Sequence, residues 1–469
     1  MRPAVVRSPL PWRDPEAVVR RLAPTGDVVW QDAGLGARTG RSIVGWGTAA
    51  TGDVRDGGAD LLWQAVRADL AVAEPGADPL GWAGWLGYGF GCRLLDRDAT
   101  PGHRPAVTPA TVADDGDPPD LALIDVDRAL VFDHARGTVE AVARAGDPWS
   151  GDVGAAWADV PVDAPAPAAA PRSHAVARWR HRPDEYLDLV ERCRRAIAAG
   201  EAYQLCLTTA VTVDGVGDGL EAFARLRRSS PAPHASFVRV GDTSLVGASP
   251  ESFVSVSVDG VVESSPIKGT RRRGTGDDDG ALARELVESD KERAENVMIV
   301  DLVRNDLARV ARLGSVEVVE LLAVRSYRHV HQLVSTVRAR LVPGRSALDV
   351  VEAAFPAGSM TGAPKRRAVE LLGELEDAPR GVYSGATGWL GRDGSASLAV
   401  VIRSVVVQEA RVATSGTPAR AASARVGVGG GITISSVPAD ELDEVEVKAA
   451  ALLAVLGVGD GRDTPVRMS

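Results

Sequence analysis

The sequence predicts an α+β protein. Short strand-like runs follow one another before long helical patterns begin, an order that fits α+β folds and not alternating βαβ units. The runs are separated by glycine turns, as in "GWAGWLGYGFG" at 81–91. A Pro/Ala tract, "VPVDAPAPAAAPRS" at 160–173, divides the chain, and eight of its ten tryptophans precede it. Such a tract cannot build a core and reads as a linker. The expected organisation is an N-terminal region over 1–159, the linker over 160–173, a main body over 174–458 and a disordered tail over 459–469.

In chain order, "LALIDVDRALVFDHARGTVEAVA" (121–143) reads as two strands joined through the turn signal "DHARG". After the linker, "PDEYLDLVERCRRAIAAG" places Tyr186, Leu187, Val190, Cys193 and Ile197 on one apolar helical face, with Gly200 as its C-terminal stop. Strands follow in "YQLCLTTAVTV", "ASFVRV", "TSLVGASPESFVSVSV" and "GVVESSPIKGT". One long helix is expected over about 278–311. "AVVIRSVVV" and "ARVGVGGGITIS" read as a late strand pair, 409–424 as a loose hairpin tip, and "ADELDEVEVKAAALLAVLG" as the closing helix.

The bulk numbers exclude several classes. With 469 residues, 45% hydrophobic and 25% charged, this is ordinary globular composition, large enough for one large or two moderate domains. A net charge of −10 argues against a general nucleic-acid binder. No run of eighteen apolar residues and no secretory apolar segment occur, so no membrane association and a cytoplasmic location are expected. Cys92, Cys193 and Cys206 have no metal or disulfide spacing and read as apolar filler.

Four features carry possible chemistry. The first is "ESSPIKGTRRRG", where Lys268 ends a strand ahead of Gly269 and Thr270. A phosphate-binding loop has its glycines before the lysine and a helix after it, so that reading fails on order. A solvated basic patch remains one reading. The other is an amine placed for nucleophilic attack, with the arginines behind it disfavouring its protonated form.

The second is Glu251 in "GASPESF", at the head of a strand; beside the Lys268 tip it would be a general acid partnered with a nucleophile. The third is a pair of acidic helix faces, Glu288, Glu292 and Glu295 on one and Glu441, Glu444 and Lys448 on the other. Taken singly each is a solvated surface; converging, they would form an all-oxygen site suited to Mg²⁺. The fourth is glycine. Gly429, Gly430 and Gly431 allow a ligand close to backbone N–H groups, and Thr361 and Gly362 precede a helix start. Arg403, alone in an apolar strand, is expected to meet a carboxylate. Together these describe a small polyanionic organic substrate.

In this order "SPESF", "SSPIKGTRRRG", "ERAENVMIVDLVRNDLARV", "AAFPAGSMTGAPKRRAVELL", "YSGATGWL", "IRS", "GGGI" and "DELDEVEVKA" span about two hundred residues. The chain resembles the chorismate-utilising enzymes, the family of anthranilate synthase component I, isochorismate and salicylate synthases and aminodeoxychorismate synthase component I. The N-terminal part matches more weakly, through "GWAGWLGYGFG" and "VFDH". The resemblance implies large antiparallel sheets packed as a sandwich-like core with helices outside, and 174–458 as the chorismate-binding catalytic part.

Within that family anthranilate synthases read "PIAGT" where this chain has Lys268, and the water-adding members carry a lysine where it has Gln204. Gln204 with Lys268 resembles the aminodeoxychorismate branch. The resemblance implies Lys268 as nucleophile and Glu251 as general acid. It implies Mg²⁺ on Glu295, Glu441 and Glu444. Substrate contacts would come from Gln204, Gly269, Thr270, Thr361, Gly362, Tyr383, Arg403, Gly429 to Gly431 and Lys448. Ammonia would be supplied by a separate glutamine amidotransferase subunit, since no G-x-C-x-G elbow is present. The alternatives are an anthranilate or 2-amino-2-deoxyisochorismate synthase component, or a non-catalytic chorismate-binding subunit. One departure stands out: Gln332 occupies the family's usual histidine position before "LVS". Its loss fits retention of the pyruvyl group, unless His331, one residue earlier, takes over.

Overall fold

The computed structural model describes residues 2–97, 117–168, 176–327, 330–411 and 420–458. The 169–173 part of the expected linker, the 412–419 part of the hairpin tip and the 459–469 tail lie outside them. No described helix is long and apolar enough to cross a membrane.

A single antiparallel ladder organises the chain. Gln204–Asp214 pairs with Ser423–Ile432, which leads through Ser404–Gln408, Thr243–Ser249 and His234–Val240 to Val28–Asp32. From there it runs through Arg41–Gly52, Leu121–Asp133, Gly81–Leu86, Ala386–Gly391 and Ala396–Val400 to Ser252–Val256. Val261–Ser265, Val330–Arg340, Ile267–Arg272 and Glu317–Ser326 complete the far end.

The two arms close on an inner apolar layer containing Val29, Trp85, Ile124, Val238, Leu245 and Trp389. A second core sits outside one arm, beneath the helices Pro183–Ala198, Gly219–Ser229 and Pro438–Val455. A third lies outside the other arm, beneath Gly58–Asp69, Asp290–Ala308 and Ala347–Ala354. The predicted sandwich with external helices is the observed architecture.

Local differences have local causes. The expected 278–311 helix is two helices, Asp277–Glu288 and Asp290–Ala308. Ser289 between them is extended (ψ 109°), and its hydroxyl accepts the Glu292 N–H, a strong N-cap inside what reads as a continuous pattern. Glu288 therefore lies on a different helix from Glu292 and Glu295. On the Pro183–Ala198 helix the buried face carries Leu189 where Leu187 was expected, and Gly200 ends it with φ +80°. The "AVVIRSVVV" run breaks into Ala396–Val400 and Ser404–Gln408 around Arg403, whose φ is +51°. All three cysteines are buried and unpaired, as filler requires.

Candidate active site

The two ends of the folded ladder meet at Gly431. A methyl group there would lie 2.4 Å from Gln204 Nε2 and 3.2 Å from Lys268 Nζ, so only glycine lets these side chains share the space. Gln204 reaches it from the first residue of its strand, with Gly431 paired opposite Cys206 two residues on. Gln204 is buried, and its Oε1 has no hydrogen-bond partner among the described residues. A buried acceptor left unsatisfied costs about 1–3 kcal/mol, so Gln204 Oε1 is free to take a further donor.

Lys268 Nζ lies 3.9 Å from Glu295 Oε2, both side chains being mostly buried. Two of the three arginines behind Lys268 are engaged by acids. Arg271 is bound by Glu285 and Glu292, and Arg273 by Asp279, so acidic partners absorb their charge. Thr270 is exposed, opposite Gln332 in the ladder, and a side chain at Gly269 would strike Leu286 and Glu292.

Glu251 is buried at 6% exposure. Burial pushes its carboxyl up to about 7, tempered by the Ser359 hydroxyl and the Lys268 ammonium. It is therefore half-protonated near neutral pH, as a general acid needs.

The acidic helix ends converge around lysines. Lys291 Nζ is 3.6 Å from Glu441, and Lys448 Nζ is 2.6 Å from Glu444 while donating to the Gly429 carbonyl at 2.8 Å. Burial pulls the Lys291 ammonium down, but Glu441, Glu295, Glu444 and Glu292 together hold it above its ordinary value. Burial raises Glu295, with Lys268 and Lys291 opposing. Glu444, half exposed, is held low because Lys448, Lys291 and Lys268 outweigh what burial adds. Glu441 Oε2 would come within 3.2 Å of a side chain at Gly430. No three acidic, histidine or cysteine side chains among the described residues stand close enough to share a metal ion. The donors are nonetheless all oxygen and lie around one cation, Lys291, which is the chemistry Mg²⁺ requires when waters and substrate oxygens complete its shell.

Three expected positions behave differently. Arg403 is exposed by surface area and its guanidinium makes no hydrogen bond or ion pair among the described residues, though burial by its surroundings lowers it and Tyr383 and Glu444 act on it through space. It lies at a break in the strand and not within one. Thr361 is fully buried with its hydroxyl donating to Ala357 and Gly358 carbonyls, which makes it a brace of its own loop. Gly362 lies opposite Leu205, its missing side chain leaving room for the Gln204 carbonyl. His331 is held by Asp279 at 2.9 Å and Ser326 at 2.8 Å; adjacent strand residues face opposite sides, so it does not replace Gln332.

Other contributors escaped the sequence reading. Gly427 is one: the expected Tyr383 packs so closely on it that a methyl there would fall 2.1 Å from the ring. Gly427 shares the two-residue spacing of Gly429 and Gly431, a signal that was available. Asn296, fully buried, donates to the Leu333 carbonyl and accepts from Ser335, locking the helix of Glu295 to the sheet. Arg380, paired with Glu376, donates to the Cys206 and Met360 carbonyls and stacks 4.3 Å from the Tyr88 ring, bracing the strand of Gln204 from beneath.

This fold and this cluster define a class: the chain belongs to the chorismate binding enzyme family, whose profile matches residues 27–454. It is 40% identical over 481 residues to an aminodeoxychorismate synthase of Streptomyces griseus, covering 97% of this chain and 62% of that one. It is 35% identical over 469 residues to anthranilate synthase component 1 of Mycobacterium tuberculosis, covering 93% and 86%. Among solved structures, anthranilate synthase component I of Streptococcus pneumoniae superposes with a TM-score of 0.72 at 27% identity, covering 89% and 92%. The chain spans 62% and 53% of the length of the two Streptomyces aminodeoxychorismate synthases it matches.

Proposed function

We propose that this chain converts chorismate and ammonia to 4-amino-4-deoxychorismate, as the chorismate-acting component of an aminodeoxychorismate synthase. The observation that carries it is Lys268, near the start of the Ile267–Arg272 strand, beside Gln204 and close to Glu251, a buried acid that titrates at about 7. The names of the Streptomyces relatives support the same reading.

In this mechanism the Lys268 ammonium first gives up a proton to solvent, and Nζ then donates its electron pair to C2 of the ring. Both conjugated ring double bonds shift, C1=C2 to C1=C6 and C5=C6 to C4=C5, and the C4–O bond breaks. Glu251 gives its proton to the departing hydroxyl, which leaves as water. Ammonia then bonds at C4, both double bonds shift back, and the C2–Nζ electrons return to Lys268. Glu251, now a carboxylate, takes the surplus proton from the new amine. Fixing the amine beside C2 supplies proximity, and dividing one displacement into two is covalent catalysis.

Arg403 and Tyr383 would hold the enolpyruvyl carboxylate with the Gly429–Gly431 backbone, and Gln204 Oε1 would accept a ligand hydrogen. Glu295, Glu441 and Glu444 would hold Mg²⁺, which when bound neutralises and orients the ring carboxylate. Without it, Lys448, Lys291 and Lys268 hold Glu444 low, while burial raises Glu295. Ammonia would come from a separate glutamine amidotransferase, and residues 174–458 would form the catalytic part. Gln332 in place of histidine fits a product that keeps its pyruvyl group.

The test is incubation of the protein with chorismate, Mg²⁺ and ammonium chloride, followed by mass spectrometry. Aminodeoxychorismate is expected. The second reading, anthranilate synthesis, is favoured by the Mycobacterium relative, which covers 93% of the chain, and would show as fluorescent anthranilate.

A further inference from the structure

A cavity of about 20 Å³ lies behind Glu251, lined by Phe253, Ile299, Val303, Ala354 and Ser359 among others. It has room for one or two water-sized molecules and no more. Its walls are largely apolar. The one acid on its far side, Asp306, is neutralised by Lys365 at 2.7 Å, and that ammonium also donates to the Ala354 carbonyl at 2.6 Å. The remaining polar groups are few: Glu251 and the buried Ser359, whose hydroxyl faces the Glu251 carboxyl and has no other partner among the described residues. Ser264 Oγ, also lining the cavity, donates to the Phe253 carbonyl and keeps its lone pairs.

We propose that this cavity is the waiting site of the small nitrogen nucleophile, one neutral ammonia molecule held between Ser359 and Glu251. The proposal rests on the aminating function above. Ammonia has three N–H donors and one lone pair. Acceptors at Ser359, Ser264 and the carbonyl oxygen of the protonated Glu251 take the hydrogens and leave the pair free for carbon. A hydrated ammonium ion is too large and too poorly compensated for such walls. Once Glu251 has protonated the departing hydroxyl, it is the carboxylate that receives the proton released when the C–N bond forms. The same group thus stands between the leaving oxygen and the arriving nitrogen.

The experiment compares wild type, Val303→Phe, Val303→Ala and Ser359→Ala, with ammonium chloride or methylammonium chloride as nucleophile. Filling the cavity with Val303→Phe should raise the ammonium KM by about tenfold or more while the chorismate KM moves by less than about twofold. Ser359→Ala should move the same constant in the same direction by less. Val303→Ala should gain the N-methyl product, seen by mass. If Val303→Phe does not fold, the other two variants carry the test. Equal changes in both KM values, or no methylamine gain together with an unmoved ammonium KM, would overturn the proposal and leave the cavity as packing or a water site. A wild type that makes no amino product would overturn the aminating function itself, an outcome distinct from wild-type amination that the cavity variants leave untouched.

Discussion

Lys268 and Glu295 stand 3.9 Å apart, the amine near the start of the Ile267–Arg272 strand and the carboxylate on the helix packed over it. A proposed nucleophile thus shares its charge with a proposed metal ligand, so the two functions are coupled through one contact. Lys268→Ala should reduce aminodeoxychorismate formation by on the order of 10³-fold, measured by product mass. Lys268→Arg should not restore it, because a guanidinium stays protonated and cannot give up an electron pair.

Glu251 sets a pH dependence of definite sign. Its acid form is lost as pH rises through about 7, so kcat/KM at saturating ammonium should fall across that range. Stability follows the same group. The folded protein holds this proton more tightly than the unfolded chain, so Glu251 contributes progressively less stability from pH 4.5 up to about 7. Glu251→Gln should abolish turnover and yet melt higher than wild type above pH 7, by at most about 3 kcal/mol. Melting curves at pH 5 and 8 check it.

Gly427→Ala should displace the Tyr383 ring, since no rotamer of the new methyl avoids a 2.1 Å approach. The expected result is a chorismate KM raised about tenfold, with a stability loss of about 1–3 kcal/mol from overpacking. Steady-state kinetics and thermal melts measure both.

Asn296→Ala strands the Leu333 carbonyl and the Ser335 hydroxyl inside the protein. The cost should be about 1–3 kcal/mol in urea unfolding. Because Glu295 is the adjacent residue on the same helix, the Mg²⁺ concentration for half-maximal activity should also rise.

At Arg403 the backbone is left-handed, which costs a non-glycine residue about 1–2 kcal/mol. Arg403→Gly should therefore be more stable than Arg403→Ala by about 1 kcal/mol, with both equally poor in chorismate binding. Chemical denaturation separates the variants, and KM shows that the lost guanidinium is common to both.

Much of this site was legible because its signals are local. A lysine after a strand run, acids at helical spacing and glycines in a strand each announce themselves within ten residues. What stayed hidden depends on partners far along the chain. The charge behind Lys268 looked activating until Glu285, Glu292 and Asp279 took up Arg271 and Arg273. Arg403 looked like a buried strand arginine because the left-handed break is invisible in "VVIRSV". Ser289 was read through because its neighbours on both sides are helix formers, and only the hydroxyl bond to Glu292 shows that a cap intervenes. The Asn296–Ser335 clamp joins residues 39 apart and leaves no periodic trace.

The ladder crosses the Pro/Ala tract twice, at Val28–Asp32 against His234–Val240 and at Gly81–Leu86 against Ala386–Gly391. The inner apolar layer takes side chains from both sides of the tract as well. A cut in the tract would therefore release neither piece. Each fragment alone would carry open strand edges and half of an apolar layer, a combination prone to aggregation. Produced together, the fragments would act as each other's missing strands and behave as a split enzyme that reassembles without a covalent link.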